Sequence, residues 1–291
     1  MTRIDQCAPP DLSSEPADLS PAGFARLARF ITSELGIRMP ESKLTMVQNR
    51  LQRRVRELGL ESVDHYSEYL FASSNGVERE HFINAITTNK TDFFREPEHF
   101  SYLVDVVLPE RTGGRPCGGI RFKVWSAGCS SGEEPYTLAM VLEEFASRQP
   151  GFDFAILATD ISTKVLEFAR NGIYQESQIL PVPPDSRRKY LVRSRNKADR
   201  LVRVVPKLRD KVSFHQLNFM DEDYAVKTAF DAVFFRNVML YFDRETQEAV
   251  INKLCRSLSP GGYLFVSHSE ALSGLDIPVK QVRTSIYRKP A

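Results

Sequence analysis

The stretch VWSAGCSSGEEPY, from Val124 to Tyr136, has the pattern of a buried strand that breaks into a turn of small residues and then enters a helix. Gly128 and Gly132 let the backbone approach a ligand closely, and the first turn of the helix offers unpaired N–H groups. In doubly wound α/β sheets, ligands bind at the carboxyl ends of the strands, beside such a turn. The stretch therefore predicts an α/β domain with a nucleotide-like ligand at this edge.

The charge at the start of this helix indicates which kind of ligand would bind there. Glu133 and Glu134 stand where a phosphate-binding loop carries Lys and Ser or Thr. Carboxylates would repel a pyrophosphate, but they suit a cationic ligand with a ribose and no phosphate. S-adenosylmethionine (AdoMet) is the common ligand of this kind. The alternative is that these residues only cap the helix and bind nothing.

A second acid favours the ligand. The apolar run FAILATD ends at Asp160, and helical spacing follows over residues 162–170. An acid at the carboxyl end of the second strand is placed to bind ribose hydroxyls. The turn and Asp160, joined by a helix at about residues 135–147, predict a βαβ nucleoside site.

Composition narrows the class of protein. The 291 residues are enough for two domains, and the net charge of +2 predicts no general attraction to nucleic acid or to a membrane surface. The four cysteines have neither metal-ligand nor disulfide spacing, and no secretory or membrane-spanning segment is recognisable. We expect a cytoplasmic protein with no bound metal and no inserted membrane segment.

Periodicity and breakers divide the chain. Residues 1–19 are predicted to be a disordered tail, 20–95 a helical domain, 96–119 a connecting helix with a Gly-rich linker, and 120–291 the sheet domain. The helical domain begins at Ser20-Pro21, and its first helix ends at Gly36. A β hairpin at residues 190–205 predicts a small β-subdomain inserted at about 180–212. A helix over 244–258 is predicted to end at the breaker Ser259-Pro260-Gly261-Gly262, and a final hairpin covers 279–288.

A third strand end carries polar residues. The buried strand DAVFF (231–235) is followed directly by Arg236 and Asn237, and then by Tyr241. An Arg that leaves a core strand is costly unless it is paired, so a structural salt bridge is the alternative to a ligand contact. Arg95, in NKTDFFR, is the other cationic candidate, and its alternative is ordinary packing at a helix junction.

Together, these motifs resemble the bacterial chemotaxis receptor glutamate O-methyltransferases, the CheR family. The resemblance runs from about Phe24 to Tyr287 and rests on TNKTDFFRE (88–96), SAGCSSGEEP (126–135), Asp160, Leu217-Asn218, RNVMLYF (236–242) and SHSE (267–270). It implies an all-α N-terminal domain that grips receptors, followed by a class I AdoMet-dependent methyltransferase (Rossmann-like) domain with a small antiparallel β-subdomain inserted in it. It also implies methyl transfer from AdoMet to receptor glutamates for sensory adaptation, which leaves S-adenosylhomocysteine.

The resemblance also implies site residues. Asn89, Thr91 and Arg95 would line the substrate side of the cofactor. Glu133 would bind the methionine end of AdoMet, Asp160 its ribose, and Asn218 with Phe219 its adenine. Arg236 and Asn237 would complete the pocket, and Tyr241 would lie near the methyl group. We expect Arg95 to position the substrate carboxylate and Tyr241 to shape the methyl site. Neither transfers a proton, because a glutamate is already ionised at neutral pH. Glu270 is interpreted as a partner of Arg236 or of a backbone amide.

The second helix predicts how the substrate is captured. Asn49, Arg50, Arg53 and Arg56 project opposite its apolar stripe, which suits an acidic receptor helix bundle, although a merely solvated face is the alternative. In some family members the inserted hairpin tethers a receptor's terminal pentapeptide, but residues 194–200 lack the glycines common there. We expect a monomer recruited to membrane receptors, with no nucleic-acid partner.

Two other classes of protein stay open. A nucleic-acid methyltransferase would also use a basic helix and AdoMet, but base-amino enzymes carry a Pro-Pro-aromatic turn that residues 237–241 lack. The second is a non-catalytic AdoMet-binding receptor scaffold.

Overall fold

A computed structural model describes residues 18–72, 76–113, 120–224, 226 and 228–291. The chain divides into a first unit that ends at Thr87 and a second unit, Thr88–Ala291. Most of the predicted tail, residues 1–17, lies outside the described residues. Within the described part, no helix is long and apolar enough to cross a membrane.

The first unit is helical, as predicted. Its helices are α1 (Pro21–Leu35), α2 (Leu44–Glu57), α3 (Val63–Ala72) and α4 (Gly76–Ile86). Ser20 caps α1 by accepting a hydrogen bond from Gly23 N, and Gly36 ends α1 with a left-handed backbone at φ 68°. The apolar stripes of α1 and α2 contain fully buried side chains, including Leu27 and Leu51. Burial of each such side chain stabilises the unit by about 1.5–3 kcal/mol.

The second unit opens with a helical segment that contains a π turn. It comprises α5 (Pro97–Tyr102), the π-helical residues Leu103–Val107 and α6 (Leu108–Thr112). A connecting helix was predicted within the segment 96–119 and is confirmed, but the π turn was not predicted. Pro109 has no N–H to donate to the carbonyl one turn earlier, and the wider turn before it accommodates that loss.

The central sheet has the strand order β6-β2-β1-β7-β8-β10-β9. Its strands are β1 (Ile120–Ala127), β2 (Phe152–Asp160), β6 (Val212–Gln216), β7 (Phe230–Phe234), β8 (Leu258–Phe265), β9 (Lys280–Arg283) and β10 (Ile286–Arg288). The first five run parallel, and β10 pairs antiparallel with β8. Chain order reverses at β1, so the ends of β2, β1 and β7 share one edge, where a ligand is expected. The predicted fold class is confirmed.

The helices of this unit include α7 (Glu133–Ala146), α8 (Thr163–Asn171), α9 (Pro184–Tyr190), α10 (Pro206–Arg209) and α11 (Arg244–Arg256). Ser162 caps α8 by accepting from Val165 N. The helix predicted over 244–258 ends two residues earlier, at Arg256. The prediction that Ser259–Gly262 forms a turn after the helix was wrong. These residues lie inside β8, where Gly261 has φ 70°.

A second, smaller sheet has the order β3-β5-β4, from β3 (Ile173–Gln175), β4 (Leu191–Arg193) and β5 (Leu201–Val204). The antiparallel pair β4 and β5 is the predicted hairpin. Its third strand, β3, begins before residue 180 and was not predicted, since three residues are too few to show strand alternation.

Candidate functional site

The turn between β1 and α7 can be built only with glycine at two positions. Gly128 has φ 84° and Gly132 has φ 97°. A Cβ on Gly128 would lie 2.5 Å from Val238 Cγ2, and one on Gly132 would lie 2.8 Å from Ala169 Cβ. The backbone thus passes closer to its neighbours than any side chain allows. The structure confirms the predicted strand, small-residue turn and helix.

Asp160 ties this turn to the end of β2. Its carboxylate accepts hydrogen bonds from Ser130 N at 2.9 Å and from Ser162 N at 3.0 Å. The residue is only 8% exposed, and burial raises the pKa of the carboxyl while the backbone amides oppose that shift. Asp160 therefore joins the turn after β1 to the loop after β2.

The two acids that begin α7 occupy different environments. Glu133 is buried, accepts a hydrogen bond from Ser131 Oγ at 2.6 Å and lies 3.5 Å from Gln178 Nε2. Burial raises its pKa. Glu134 instead accepts from Ser126 Oγ at 2.6 Å and lies 3.3 Å from Arg236 Nε. The sequence singled out both acids but assigned a ligand contact only to Glu133, and it did not indicate that Glu134 is a partner of Arg236.

Arg236 emerges from the end of β7 into a buried cluster of charges. Its side chain is 3% exposed and its Nε lies between the carboxylates of Glu96, at 3.7 Å, and Glu134. Its Nη2 donates to the backbone carbonyl of Arg95 at 2.5 Å. The ion pair weighed as an alternative is therefore present. The sequence indicated that Arg236 needs a partner, but not that Glu96 and Glu134 supply it.

The cluster also contains two stacked histidines. The rings of His99 and His268 are 5.0 Å apart, and Arg236 Nη1 lies 3.4 Å from His99 Nδ1. Burial is the main cause that lowers the pKa of His99 to about 3, and the charges of Arg236 and His268 contribute less. Among the described residues, Glu96, His99 and His268 form a group with metal-ligating atoms within 4.8 Å of one another. The positive charge of Arg236 already lies next to two of these residues, Glu96 and His99.

The segment TNKTDFFRE carries Arg95 on a constrained backbone. Phe94 and Glu96, on either side of it, have left-handed φ values of 53° and 55°. Thr137 Oγ1 accepts from Phe94 N at 3.1 Å, and Asn89 O accepts from Ser130 Oγ at 2.9 Å. The segment is thereby fixed to α7 and to the turn after β1. Thr91 is half-buried in the same segment.

The remaining predicted residues follow β6 and β7. Asn218 is half-buried, and the buried ring of Phe219 packs edge-on against Phe235 with 5.0 Å between centroids. Asn237 has φ 59° and donates from Nδ2 to Ser267 Oγ at 2.8 Å. Tyr241, half-exposed, ends the short 3-10 helix Met239–Tyr241. Most of the predicted cofactor and catalytic residues therefore follow strands of the central sheet, whereas Asn89, Thr91 and Arg95 precede β1 in a segment that is hydrogen-bonded to α7 and to the turn after β1.

The candidate docking residues belong to the first unit. Arg53 is 79% exposed in its side chain and pairs with Glu57 at 2.8 Å. Arg56 and Asn49 are exposed. Arg50 is half-buried and donates to the backbone carbonyl of Ile86. Arg50 thus contributes to the packing of α2 against the end of α4.

The chain matches known proteins over most of its length. Residues 22–87 match the family model "CheR methyltransferase, all-alpha domain", and residues 89–288 match "CheR methyltransferase, SAM binding domain". A chemotaxis protein methyltransferase of Salmonella typhimurium is 41% identical over 88% of this chain and 86% of its own length. Those of Escherichia coli and Borreliella burgdorferi are 41% and 37% identical, over 89% and 91% of this chain and 87% and 93% of their own lengths.

Proposed function

Because the chain belongs to the CheR methyltransferase family, we propose that it methylates glutamate side chains on the cytoplasmic helical domain of methyl-accepting chemotaxis receptors. The products are glutamate methyl esters and S-adenosylhomocysteine. AdoMet as cofactor, methyltransferase activity and a part in chemotaxis follow from the family itself.

The few contacts of the Arg95 side chain are the observation that most directly supports a carboxylate substrate. Its backbone is held by Arg236, but in the described part of the chain its side chain makes one long hydrogen bond, to Lys90 O at 3.4 Å. Most of its N–H groups are therefore available. A guanidinium binds a carboxylate through two parallel hydrogen bonds, so Arg95 is suited to orient a glutamate.

The cofactor residues fit the charge of AdoMet. When bound, AdoMet supplies an activated methyl group on a cationic sulfur. Glu133 would bind its ammonium end, Asp160 its ribose, and Asn218 with Phe219 its adenine. Asn89, Thr91, Arg236 and Asn237 would close the site. The buried carboxylates of Glu133 and Asp160, next to a turn that admits no side chain at Gly128, are the observations that favour this assignment.

The residues then act by position rather than by proton transfer. A glutamate nucleophile is ionised at neutral pH, so no general base is required. Arg95 would orient the carboxylate oxygen in line with the methyl group, and Tyr241 would shape the space in which they meet. Removing water from an ionised nucleophile and fixing its approach are sufficient to accelerate such a displacement.

The raised pKa of Glu133 predicts that AdoMet binding depends on pH. A carboxyl whose pKa is raised takes up a proton at a higher pH than usual, and the neutral form does not attract a cation. We expect AdoMet affinity to fall as the pH drops towards the raised pKa of Glu133. Glu133→Gln should weaken binding about tenfold at neutral pH, equal to about 1.4 kcal/mol, and flatten the profile. Calorimetry at a series of pH values measures both, and an equally steep profile in the variant would contradict this role.

The positive charge on α2 predicts that recognition of the receptor depends on salt concentration. If Arg53 and Arg56 attract an acidic receptor, replacing both with Glu should slow receptor methylation about 3- to 10-fold at low salt, because complementary charge mainly raises the association rate. Arg50 is left unchanged, since it also holds Ile86. Initial rates across ionic strength provide the measurement.

The matched control is Arg29→Glu, which reverses an exposed charge on α1 of the same unit. AdoMet binding should be unaltered in every variant. A rate and salt profile unchanged by the Arg53 and Arg56 replacements would reduce this face to a solvated surface and leave the β4–β5 hairpin as the candidate contact.

A further inference from the structure

Glu270 is a buried acid whose partners are backbone amides. It lies after β8, is 6% exposed, and its own N–H donates to Ser267 O at 2.9 Å. Its Oε2 accepts from Ser267 N at 2.9 Å and from Asn237 N at 3.0 Å. The side chain therefore joins the loop after β8 to the loop after β7. Of the two partners that the sequence suggested for Glu270, the structure therefore confirms a backbone amide and not Arg236.

In the part of the chain that the structure describes, no cation compensates this carboxylate. Among the residues that the structure describes, Glu270 makes no ion pair, and its Oε1 is buried without a hydrogen-bond partner. Burial raises its pKa, and only backbone amides oppose the shift. Burying a carboxylate without a cationic partner is costly, and an apolar side chain would fill the space without that cost.

The amides that stabilise Glu270 all belong to the segments around Tyr241. Besides Asn237 and Ser267, the amides of Leu240 and Met239 lower its pKa. These N–H groups lie at the start of the short helix Met239–Tyr241, where they have no partner within the helix. An acid at a helix start satisfies and stabilises such groups. Glu270 hydrogen-bonds the backbone shortly before this helix, at Asn237 N, from a different segment of the chain.

Gln247 also hydrogen-bonds the segment that contains this helix. Met239 and Phe242 are buried, and Gln247 Nε2 donates to their carbonyls at 2.9 and 3.2 Å. These contacts fix the two ends of the segment from within the domain. The left-handed backbone of Asn237, φ 59°, is unfavourable for a residue other than glycine and needs support from its surroundings. The hydrogen bond from Asn237 N to Glu270 supplies that support.

We propose that Glu270 is a positioning residue, which holds the segment 237–241 and thereby sets the place of Tyr241 at the methyl site. The proposal rests on the proposed role of Tyr241 in methyl transfer. Glu270 itself touches neither substrate nor cofactor.

The test compares Glu270→Gln with Glu143→Gln, which neutralises a buried acid of the same domain on α7. Glu143 is ten residues beyond Glu133, so it lies about 15 Å along the helix from the cofactor turn. Hydrogen exchange of the 237–242 peptide, measured without AdoMet, should accelerate about tenfold or more in Glu270→Gln and stay unchanged in Glu143→Gln. Unchanged exchange in both would overturn the proposal, whether or not the enzyme methylates receptors.

Kinetics supply the second readout. In Glu270→Gln, kcat for receptor methylation should fall about 10- to 100-fold, and this loss should exceed any rise in the Kd for AdoMet, to which the same segment contributes through Asn237. Combining the change with Tyr241→Phe should cost little more than the larger single effect, since both act at one point. Additive losses, or an unchanged kcat with accelerated exchange, would contradict positioning through Tyr241. If Glu270→Gln does not fold, Glu270→Asp, which keeps the charge but shortens the side chain, is subject to the same criteria.

Discussion

Replacing Asp160 with Ala is expected to raise the Kd for AdoMet and for S-adenosylhomocysteine about 100-fold or more. The substitution removes the proposed acceptor of the ribose hydroxyls, and charge-assisted hydrogen bonds contribute about 1.5–3 kcal/mol each. It also frees Ser130 N and Ser162 N, so the turn that surrounds the ligand loses its tie to β2. Calorimetry with both ligands measures the change.

Asp160→Asn separates these two contributions. The amide keeps the volume and one acceptor oxygen for the loop amides, but it loses the charge. We expect an intermediate Kd for the Asn variant and nearly normal thermal unfolding. A Kd in Asp160→Ala equal to that of the original protein would remove Asp160 from the binding site and undermine the nucleoside assignment.

Arg95→Ala is expected to reduce kcat/KM for receptor methylation about 100- to 1,000-fold, with less than about a threefold change in the Kd for AdoMet. Losing a group that orients the nucleophile costs orders of magnitude in rate, because a misplaced carboxylate seldom reaches the methyl group in line. Arg95→Lys should recover only part of the rate, since an ammonium cannot form the parallel pair of hydrogen bonds. Steady-state rates and calorimetry on the same preparations give the comparison.

Lys90→Ala is the matched control, because it removes an exposed cation from the same segment while leaving the backbone carbonyl that Arg95 contacts. Its rate should be close to normal. If Arg95→Ala and Glu133→Ala weakened AdoMet binding equally, Arg95 would be a cofactor or structural residue and not the one that positions the substrate.

Regular patterns made much of the fold predictable. The stripe and caps of α1, the strand before Gly128 and the acid at the end of β2 are local features, and each appears where periodicity and capping chemistry predict. The turn at Ser259–Gly262 was misread because a Pro-Gly-Gly sequence usually ends a helix, whereas here the pairing of β8 with β7 and β10 draws it into the sheet. Tertiary pairing overrides local preference in such cases.

The charged partners of the site were harder to predict. Arg236 was recognised as costly unless paired, yet its partners Glu96 and Glu134 come from segments 140 and 102 residues away in sequence, by subtraction of their numbers. A single sequence carries no signal for such pairings, because they depend on how three loops converge at the sheet edge. For Glu270 the sequence indicated a backbone amide as one possible partner, but not that Asn237 and Ser267 provide it.

The most direct test of the proposed activity is incubation of the protein with tritiated AdoMet and the cytoplasmic domain of a methyl-accepting chemotaxis receptor. The proposed function predicts tritium on the receptor that mild base releases as methanol, as expected of a methyl ester on glutamate. The label should be nearly absent when Arg95→Ala replaces the original protein. Label that resists base, or that appears on added nucleic acid and not on the receptor, would contradict glutamate methylation.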